Sequence, residues 1–396
     1  MKRYAEIIGW GKYVPPKVLH NRDLERLVET TDEWIRTRTG IVERRMAGPK
    51  ETTATMAVRA AQEALAVADF NPARLEFIIV ATCTPDYPLP AVACQVQDAL
   101  GAGRAGAVDI NAGCSGFVYA LAMGTALIAA GMYRNVLVIG ADTLTRILDF
   151  TDRRTCILFG DGAGAVLLHE SDRPTGLLAY TLGADGSGVD LLYIPAGGSR
   201  QPASLETVQN RLHYLRMNGN EVYRFAVNTV VRATQQVLKE AGLTVEDLAL
   251  FIPHQANIRI IQSAARTLGL PPEKVYTNVD RYGNTSAASI PIALCEAIAE
   301  GRVKPGDYLA MVGFGAGLTW AAAVVQWGAP AAVRHPWWKQ VLHSLWGPEA
   351  GLRSLARRTS RRLAALGGRE NGLAGPNGHR RTPARPPAGG EPRPER

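Results

Sequence analysis

Apolar positions along the chain follow two periods, and the switches between them mark out alternating strands and helices. Between Thr52 and Asp69 they recur at Met56, Ala60, Ala61, Ala64, Leu65 and Ala68, the spacing of one helix face. Leu75–Ala81 is an apolar, β-rich run broken only by Glu76, which predicts a buried strand. The same logic gives strands at Ala5–Gly9, Gly106–Asn111, Asn135–Ala141, Leu248–Ile252, Val275–Val279, Tyr308–Val312 and Thr319–Gln326, with more between Gly176 and Ile194. Helices fall at Asn21–Val28 (with Asn21 as cap), Ala91–Leu100, Asn220–Ala241, Ile258–Leu268 and Ala287–Glu300. Thr31–Ile41 reads as a polar loop with Trp34 at the surface, or as an aromatic and guanidinium clamp for a nucleotide ring and phosphates, and Pro195–Leu212 as a polar excursion. The segment from Ser115 to about Gly131 is apolar on nearly every side, so it predicts a helix buried in the centre of the molecule.

The order of elements repeats. Val58–Leu65 recurs as Val231–Leu238, a shift of 173 residues, and the strands that follow also correspond. Further on, Gly113-Cys114-Ser115 aligns with Gly283-Asn284-Thr285, each a turn before a small-residue helix. The pattern therefore predicts two α/β halves, 1–180 and 181–330, related by a pseudo-two-fold axis. Cys114 and Asn284 would then sit at equivalent helix starts facing one pocket.

Composition changes the picture only at the end of the chain. Overall the 396 residues are 46% hydrophobic and 20% charged, as in a globular protein with a sizeable core. Residues 331–396 hold 13 of the 44 basic and 4 of the 36 acidic side chains, leaving 31 against 32 in residues 1–330. The formal charge of +8 thus belongs to the tail and does not describe the predicted site. Within it, 331–366 reads as a basic amphipathic helix (Trp337, Val341, Leu342, Leu345, Leu352) and 367–396 as a disordered Pro/Gly/Arg-rich extension. A solvated extension, an interfacial anchor touching a membrane surface and a recruiter of a carrier protein are all open for it. No signal peptide is recognisable at the start, and five scattered cysteines without C-x-x-C pairing point to a reducing, cytoplasmic setting with no metal site.

The chemistry gathers around Cys114. A thiol at the first turn of a buried helix faces free backbone N–H groups and the positive dipole end, which predicts a stabilised thiolate nucleophile. His254, in Pro253-His254-Gln255-Ala256-Asn257, is delivered by the repeated strand of the second half. His254 and Asn284 could donate to a thioester carbonyl and stabilise an enolate, with the backbone at Cys114 and Ala316 as an oxyanion hole. Each residue alone has a bland alternative, a buried hydrophobe, a structural histidine or a helix cap; their convergence through the repeat favours a site. Phe159–Leu168 is glycine-rich but lacks the Lys-Ser/Thr of a phosphate loop, so it reads as close backbone packing.

Asn111-Ala112-Gly113-Cys114-Ser115-Gly116, Pro253-His254-Gln255-Ala256-Asn257 and Tyr282-Gly283-Asn284-Thr285-Ser286 resemble the three active-site motifs of the β-ketoacyl-[acyl-carrier-protein] synthase III family, over about Lys2 to Trp327. The resemblance implies a thiolase-like, five-layered αβαβα fold, a homodimer, and a decarboxylative condensation that starts type II fatty acid synthesis. Acyl-CoA would load Cys114 and malonyl-acyl carrier protein would supply two carbons; no further cofactor is implied. By position, Trp34, Arg38, Arg153, Asn220 and Asn257 resemble CoA contacts. Arg224, Gln255 and Arg259 sit where residues meet the carrier protein, and Leu89 resembles a cap on the partner's acyl pocket. Competing readings are a thiolase-fold enzyme of secondary metabolism with the same triad and, from the basic tail alone, a nucleic-acid binder, which the near-neutral 1–330 region opposes.

Overall fold

In the computed structural model, the described residues are 3–328, together with Ser354, Ala356, Thr359 and Ser360. The chain divides into a first unit, Met1–Gly351, and a second, Leu352–Arg396, of which those last four residues are described, all helical. The amphipathic 331–366 segment otherwise lies outside the described residues, as does the 367–396 extension.

Two sheets carry the first unit. Strands β1 (Tyr4–Tyr13), β2 (Phe77–Ala81), β3 (Gly106–Ile110), β4 (Asn135–Thr143) and β5 (Asp161–Ser171) form one, in the order β1-β5-β4-β2-β3. Strands β6 (Gly176–Ala184), β7 (Leu248–Pro253), β8 (Tyr308–Gly315) and β9 (Thr319–Gln326) form the other, in the order β7-β8-β9-β6. The second order repeats the first without its edge strand. At that edge the sequence predicted a strand over Val275–Val279. Only one parallel bridge forms there, Phe251 to Val275, because Val279–Tyr282 turns into a short helix.

Helices supply three more layers. Helices α2 (Thr53–Val67) and α3 (Val92–Leu100) cover the outer face of the first sheet through Met56, Leu65, Val92 and Val96. Helices α5 (Gly219–Ala241) and α6 (Ile258–Leu268) do the same for the second through Val230, Val237, Ile260 and Leu268. Between the sheets lie α4 (Gly116–Ala129) and α7 (Ser289–Ala299), bounded on both sides by strand residues such as Ile79, Val138, Ile252 and Met311. That position explains why both are apolar all round: each must bury two faces. The result is the predicted αβαβα layering.

Four differences from the sequence reading have physical causes. Thr31–Ile41 is not a loop but helix α1 (Asp32–Thr39), capped by Thr31 Oγ, which accepts from Trp34 N at 3.1 Å, and ended by Gly40 at φ 79°. Ile35 and Thr39 are its buried residues, so no apolar stripe announces it. Asn21 is not a cap: its buried amide donates to Asp32 Oδ1 and Ile41 O, both at 2.8 Å, and accepts from Arg44. The halves separate between Ser171 and Gly176, since β6 already belongs to the second sheet. Finally, the repeat is offset at the helix starts. The 3-10 turn Gly113–Ser115 that opens α4 is matched by Ser286–Ala288 before α7, a shift of 173 residues, so the equivalent of Cys114 is Ala287. Gly113 (φ 52°) and Ser286 (φ 53°) share one left-handed conformation there.

The glycine-rich Phe159–Leu168 segment serves close packing, as expected. A Cβ at Gly164 would lie 2.7 Å from Pro291 Cβ, and one at Gly140 2.2 Å from Ala287 O, so these glycines let the start of α7 touch the first sheet.

Candidate active site

Cys114 stands at the junction of two cavities. One, about 90 Å³, runs past His254, Asn284, Phe314, Gly219 and Asn257. The other, about 260 Å³, also meets Cys114 and has Leu144, Ile147, Leu192, Ile194 and Leu215 in its wall. Both cavities are mostly apolar, and the smaller one adds the polar side chains of His254, Asn257 and Asn284. A nucleophile between them suits a carrier arm entering past those groups and an acyl chain resting in the larger space.

The turn carrying Cys114 is fastened from several directions. Ser115 Oγ donates to Ala112 O at 2.7 Å and lies 2.9 Å from Thr319 Oγ1, which itself donates to Ala112 O and Ala316 O. This ties the nucleophile to the Gly313–Gly317 loop. A Cβ at Gly113 would sit 3.0 Å from Ala316 N, and one at Gly315 would sit 2.8 Å from Cys114 N and 3.2 Å from Sγ. The Gly313–Gly317 segment is thus packed against the Cys114 turn, with Ala316 N beside Gly113 and Cys114 N beside Gly315.

Asn284 is held through its backbone. Its N–H donates to Leu158 O (2.8 Å) and its C=O accepts from Gly160 N (2.9 Å), a parallel bridge to Phe159. Its Oδ1 accepts from Ser286 N at 2.8 Å, which turns the NH₂ toward Cys114. His254 arrives at the end of β7, donating its backbone N–H to Val312 O, with Nδ1 2.6 Å from Ser289 Oγ and its ring edge-on to Phe314 at 5.1 Å. The structure thus brings Cys114, His254, Asn284 and Ala316 together.

Electrostatics correct one expectation. The Cys114 thiol is pushed up to about 12, by burial, with Asp142 adding to the rise; hydrogen bonds from Ser286 and Asn284 pull the other way and do not overcome it. Desolvation outweighs the helix-start effect, so the resting nucleophile is a thiol. His254 is pushed down to about 3 by burial, so its ring is neutral. Two neutral donors and a thiol describe a site without a resident base.

The outlying residues fall into two groups. Trp34 lies under two guanidinium groups, Arg153 at 5.2 Å and Arg38 at 5.8 Å from the ring centre, and Arg153 also donates to Glu29 O at 2.8 Å. A ring sandwiched between them needs about 7 Å, so the clamp is closed and Arg153 must swing away to admit one. Asn257 lines the channel, caps α6 and braces Arg38 O; Asn220 is exposed beside Gly219 at the channel mouth. Arg224 pairs with Glu221, and Arg259 lies over Tyr223, both exposed. Gln255 does not belong with them. It is 1% exposed, donates to Pro253 O and Tyr276 O and accepts from Asn278 N, so it fixes a loop and cannot meet a carrier protein. Leu89 is 87% exposed and lines neither cavity of its own chain.

Sequence reasoning missed Ser286, Ser289, Cys83 and the apolar wall of the larger cavity. The motif Tyr282–Ser286 already contains Ser286 without giving it a role, and three more residues would have reached Ser289. Nothing local marks Leu144 and Ile147, on the 3-10 turn Leu144–Ile147, or Leu215, which comes from a distant stretch of the chain.

An αβαβα pair of halves with cysteine, histidine and asparagine on one pocket defines a thiolase-fold condensing enzyme. Residues 108–186 match the family model of 3-oxoacyl-[acyl-carrier-protein (ACP)] synthase III, and 238–327 match that of its C-terminal region. The β-ketoacyl-[acyl-carrier-protein] synthase III of Symbiobacterium thermophilum is 55% identical over 82% of this chain and 99% of its own, and that of Roseiflexus castenholzii 52% over 83% and 100%. The crystal structure of the Aquifex aeolicus synthase III (TM-score 0.76, 48% identity) covers 82% of this chain and 100% of its own. That of the priming β-ketosynthase from the R1128 polyketide pathway (0.77, 37%) covers 83% and 98%. The chain belongs to the β-ketoacyl-[acyl-carrier-protein] synthase III family.

Proposed function

We infer that this chain joins an acyl primer to malonyl-acyl carrier protein with loss of CO₂, the condensation that initiates fatty acid synthesis. The observation that carries this is that Cys114 lines two cavities, one of which it shares with His254 and Asn284. In the first half-reaction the Cys114 sulfur attacks the thioester of an acyl-CoA, and the tetrahedral oxygen is held by the N–H groups of Cys114 and Ala316. The C–S bond to CoA breaks, and the proton lost from Cys114 leaves on the CoA thiol. Thioester exchange is proton-neutral overall, so a thiol near 12 needs only a transient transfer to the departing sulfur.

In the second half-reaction malonyl-carrier protein occupies the channel, its thioester oxygen facing His254 and Asn284. Loss of CO₂ leaves its electron pair as an enolate, which those two donors stabilise. The enolate carbon attacks the acyl-Cys114 carbonyl, and the C–S bond breaks to give 3-oxoacyl-carrier protein. The departing thiolate takes one proton from solvent, the one proton that the condensation consumes. Two donors and no base fit this course, because decarboxylation itself supplies the electron pair.

Arg38, Arg153, Trp34, Asn220 and Asn257 are read as CoA contacts, and the exposed Arg224 and Arg259 as carrier-protein contacts, on their position around the channel mouth. A homodimer fits the edge strand β3, paired on one side only, with Val108, Met123 and Leu89 exposed at 37%, 40% and 87%. Five free cysteines suit a reducing compartment, and no helix among the described residues is long and apolar enough to cross a membrane.

The test is intact-protein mass spectrometry after incubation with a panel of acyl-CoAs, followed by malonyl-carrier protein. An adduct absent from Cys114→Ala, and discharged with CO₂ release by malonyl-carrier protein, is the expected result. Absence of any adduct in dimeric protein would overturn it. The preferred mass names the primer, and a strong preference for a primer foreign to fatty acid synthesis would instead favour the secondary-metabolism reading that the R1128 relative represents.

A further inference from the structure

His254 carries one ring proton when neutral, and which nitrogen holds it decides what the ring offers the channel. With the proton on Nε2 the ring donates through that nitrogen; with the proton on Nδ1, Nε2 only accepts. The imidazole is 1% exposed, and its one side-chain hydrogen bond among the described residues joins Nδ1 to Ser289 Oγ at 2.6 Å.

Ser289 settles the choice. It is the first residue of α7 and 2% exposed, and its hydroxyl has no second hydrogen-bond partner among the described residues. If Nδ1 carried the proton and donated to Oγ, the hydroxyl hydrogen would be buried without an acceptor, a costly arrangement. If the hydroxyl donates to Nδ1, both groups are satisfied and the ring proton sits on Nε2. The start of α7 adds a positive end beside the ring, which opposes a second ring proton.

We propose that Ser289 is a positioning residue that holds His254 as the Nε2–H tautomer and so commits it to donate to the malonyl thioester oxygen. The assignment rests on the condensing reading given above and adds a residue outside its three motifs. It also gives the six residues Asn284–Ser289 a joint task. The Ser286 N–H turns the Asn284 amide, and the Ser289 hydroxyl turns the His254 proton, so one turn aims both donors.

Full-length Ser289→Ala and Ser289→Thr separate this role from a structural one. Three readouts are needed: Cys114 acylation by acetyl-CoA followed by mass, CO₂ release from malonyl-carrier protein by pre-acylated enzyme, and the ¹⁵N imidazole spectrum, with His254→Gln locating the His254 signals. Removing the hydroxyl should slow CO₂ release about tenfold or more, leave acylation within about twofold, and deplete the Nε2–H signature. Ser289→Thr, which keeps a hydroxyl, should restore the tautomer and most of the rate. An Ala variant that keeps the Nε2–H signature overturns the proposal. So does one that decarboxylates at the wild-type rate, or that loses both half-reactions equally. Failure of the wild-type chain to acylate with any acyl-CoA would count against the condensing reading itself, a separate outcome.

Discussion

Burial of a neutral His254 makes a measurable demand on stability at acid pH. The imidazole is pushed down to about 3, and burial is its cause; no carboxylate offsets it. In the unfolded chain the same side chain titrates near 6.5. Folding therefore excludes a proton that the unfolded state binds, and stability falls as pH drops below 6.5 until the folded ring itself titrates. Integrating that difference gives a loss of about 2 kcal/mol at pH 5.0 and about 0.2 kcal/mol at pH 7.0. Replacing His254 by Gln removes the titration and leaves every other group in place. Urea unfolding of both proteins at the two pH values then isolates the histidine as a difference of differences. Wild type should lose about 1.5–2 kcal/mol more than His254→Gln between pH 7.0 and 5.0. Parallel losses would refute the neutral buried ring. The same neutrality predicts a CO₂-release rate that does not rise as pH falls through 6.5; a rise would mean that imidazolium is the active form.

Other perturbations test other parts of the site. Asn284→Asp keeps the acceptor for Ser286 N but replaces the NH₂ donor with a charge, so condensation should fall about 10²–10³-fold, read as CO₂ release per acylated enzyme. Gly315→Ala places a methyl 2.8 Å from Cys114 N and 3.2 Å from Sγ, and should abolish the acyl adduct in protein that still elutes at the wild-type oligomeric size. Asp142 is fully buried, and its carboxylate accepts from Thr82 Oγ1, Cys83 N, Thr84 N and Oγ1 and Ala287 N. Asp142→Ala strands those donors and should cost about 3–5 kcal/mol in urea unfolding. Arg153→Ala should raise the KM for acyl-CoA several-fold with kcat for condensation little changed, since its guanidinium stacks on Trp34 far from the sulfur.

Periodicity carried most of the architecture because a layered protein writes each layer into its apolar pattern. The all-apolar α4 and the one-faced α2 announce a middle and an outer layer without any further information. Helix α1 shows where that signal stops: a short helix with Ile35 and Thr39 as its buried residues has no stripe, and its cap and its Gly40 stop are the traces left in the sequence. The thiol shows a second limit. A helix start is local and readable, while the desolvation that overrides it comes from residues far apart in the chain.

The duplication shows the third limit. It located both halves of the site, yet aligning Gly113-Cys114-Ser115 with Gly283-Asn284-Thr285 places the second turn three residues early. In the first half Gly113 fills the left-handed position at φ 52°; in the second, Ser286 does so at φ 53°. A serine there costs roughly 1–2 kcal/mol that a glycine avoids. Its compensations lie in the site: its N–H fixes the Asn284 amide, and its hydroxyl, 3.9 Å from Cys83 Sγ, acts to lower the Cys114 pKa. The second turn therefore keeps the backbone shape of the first while its side chain takes a task that no glycine could perform. A strained non-glycine residue leaves no mark in a single sequence, so the repeat could point to the pocket but not to the residue that orients it.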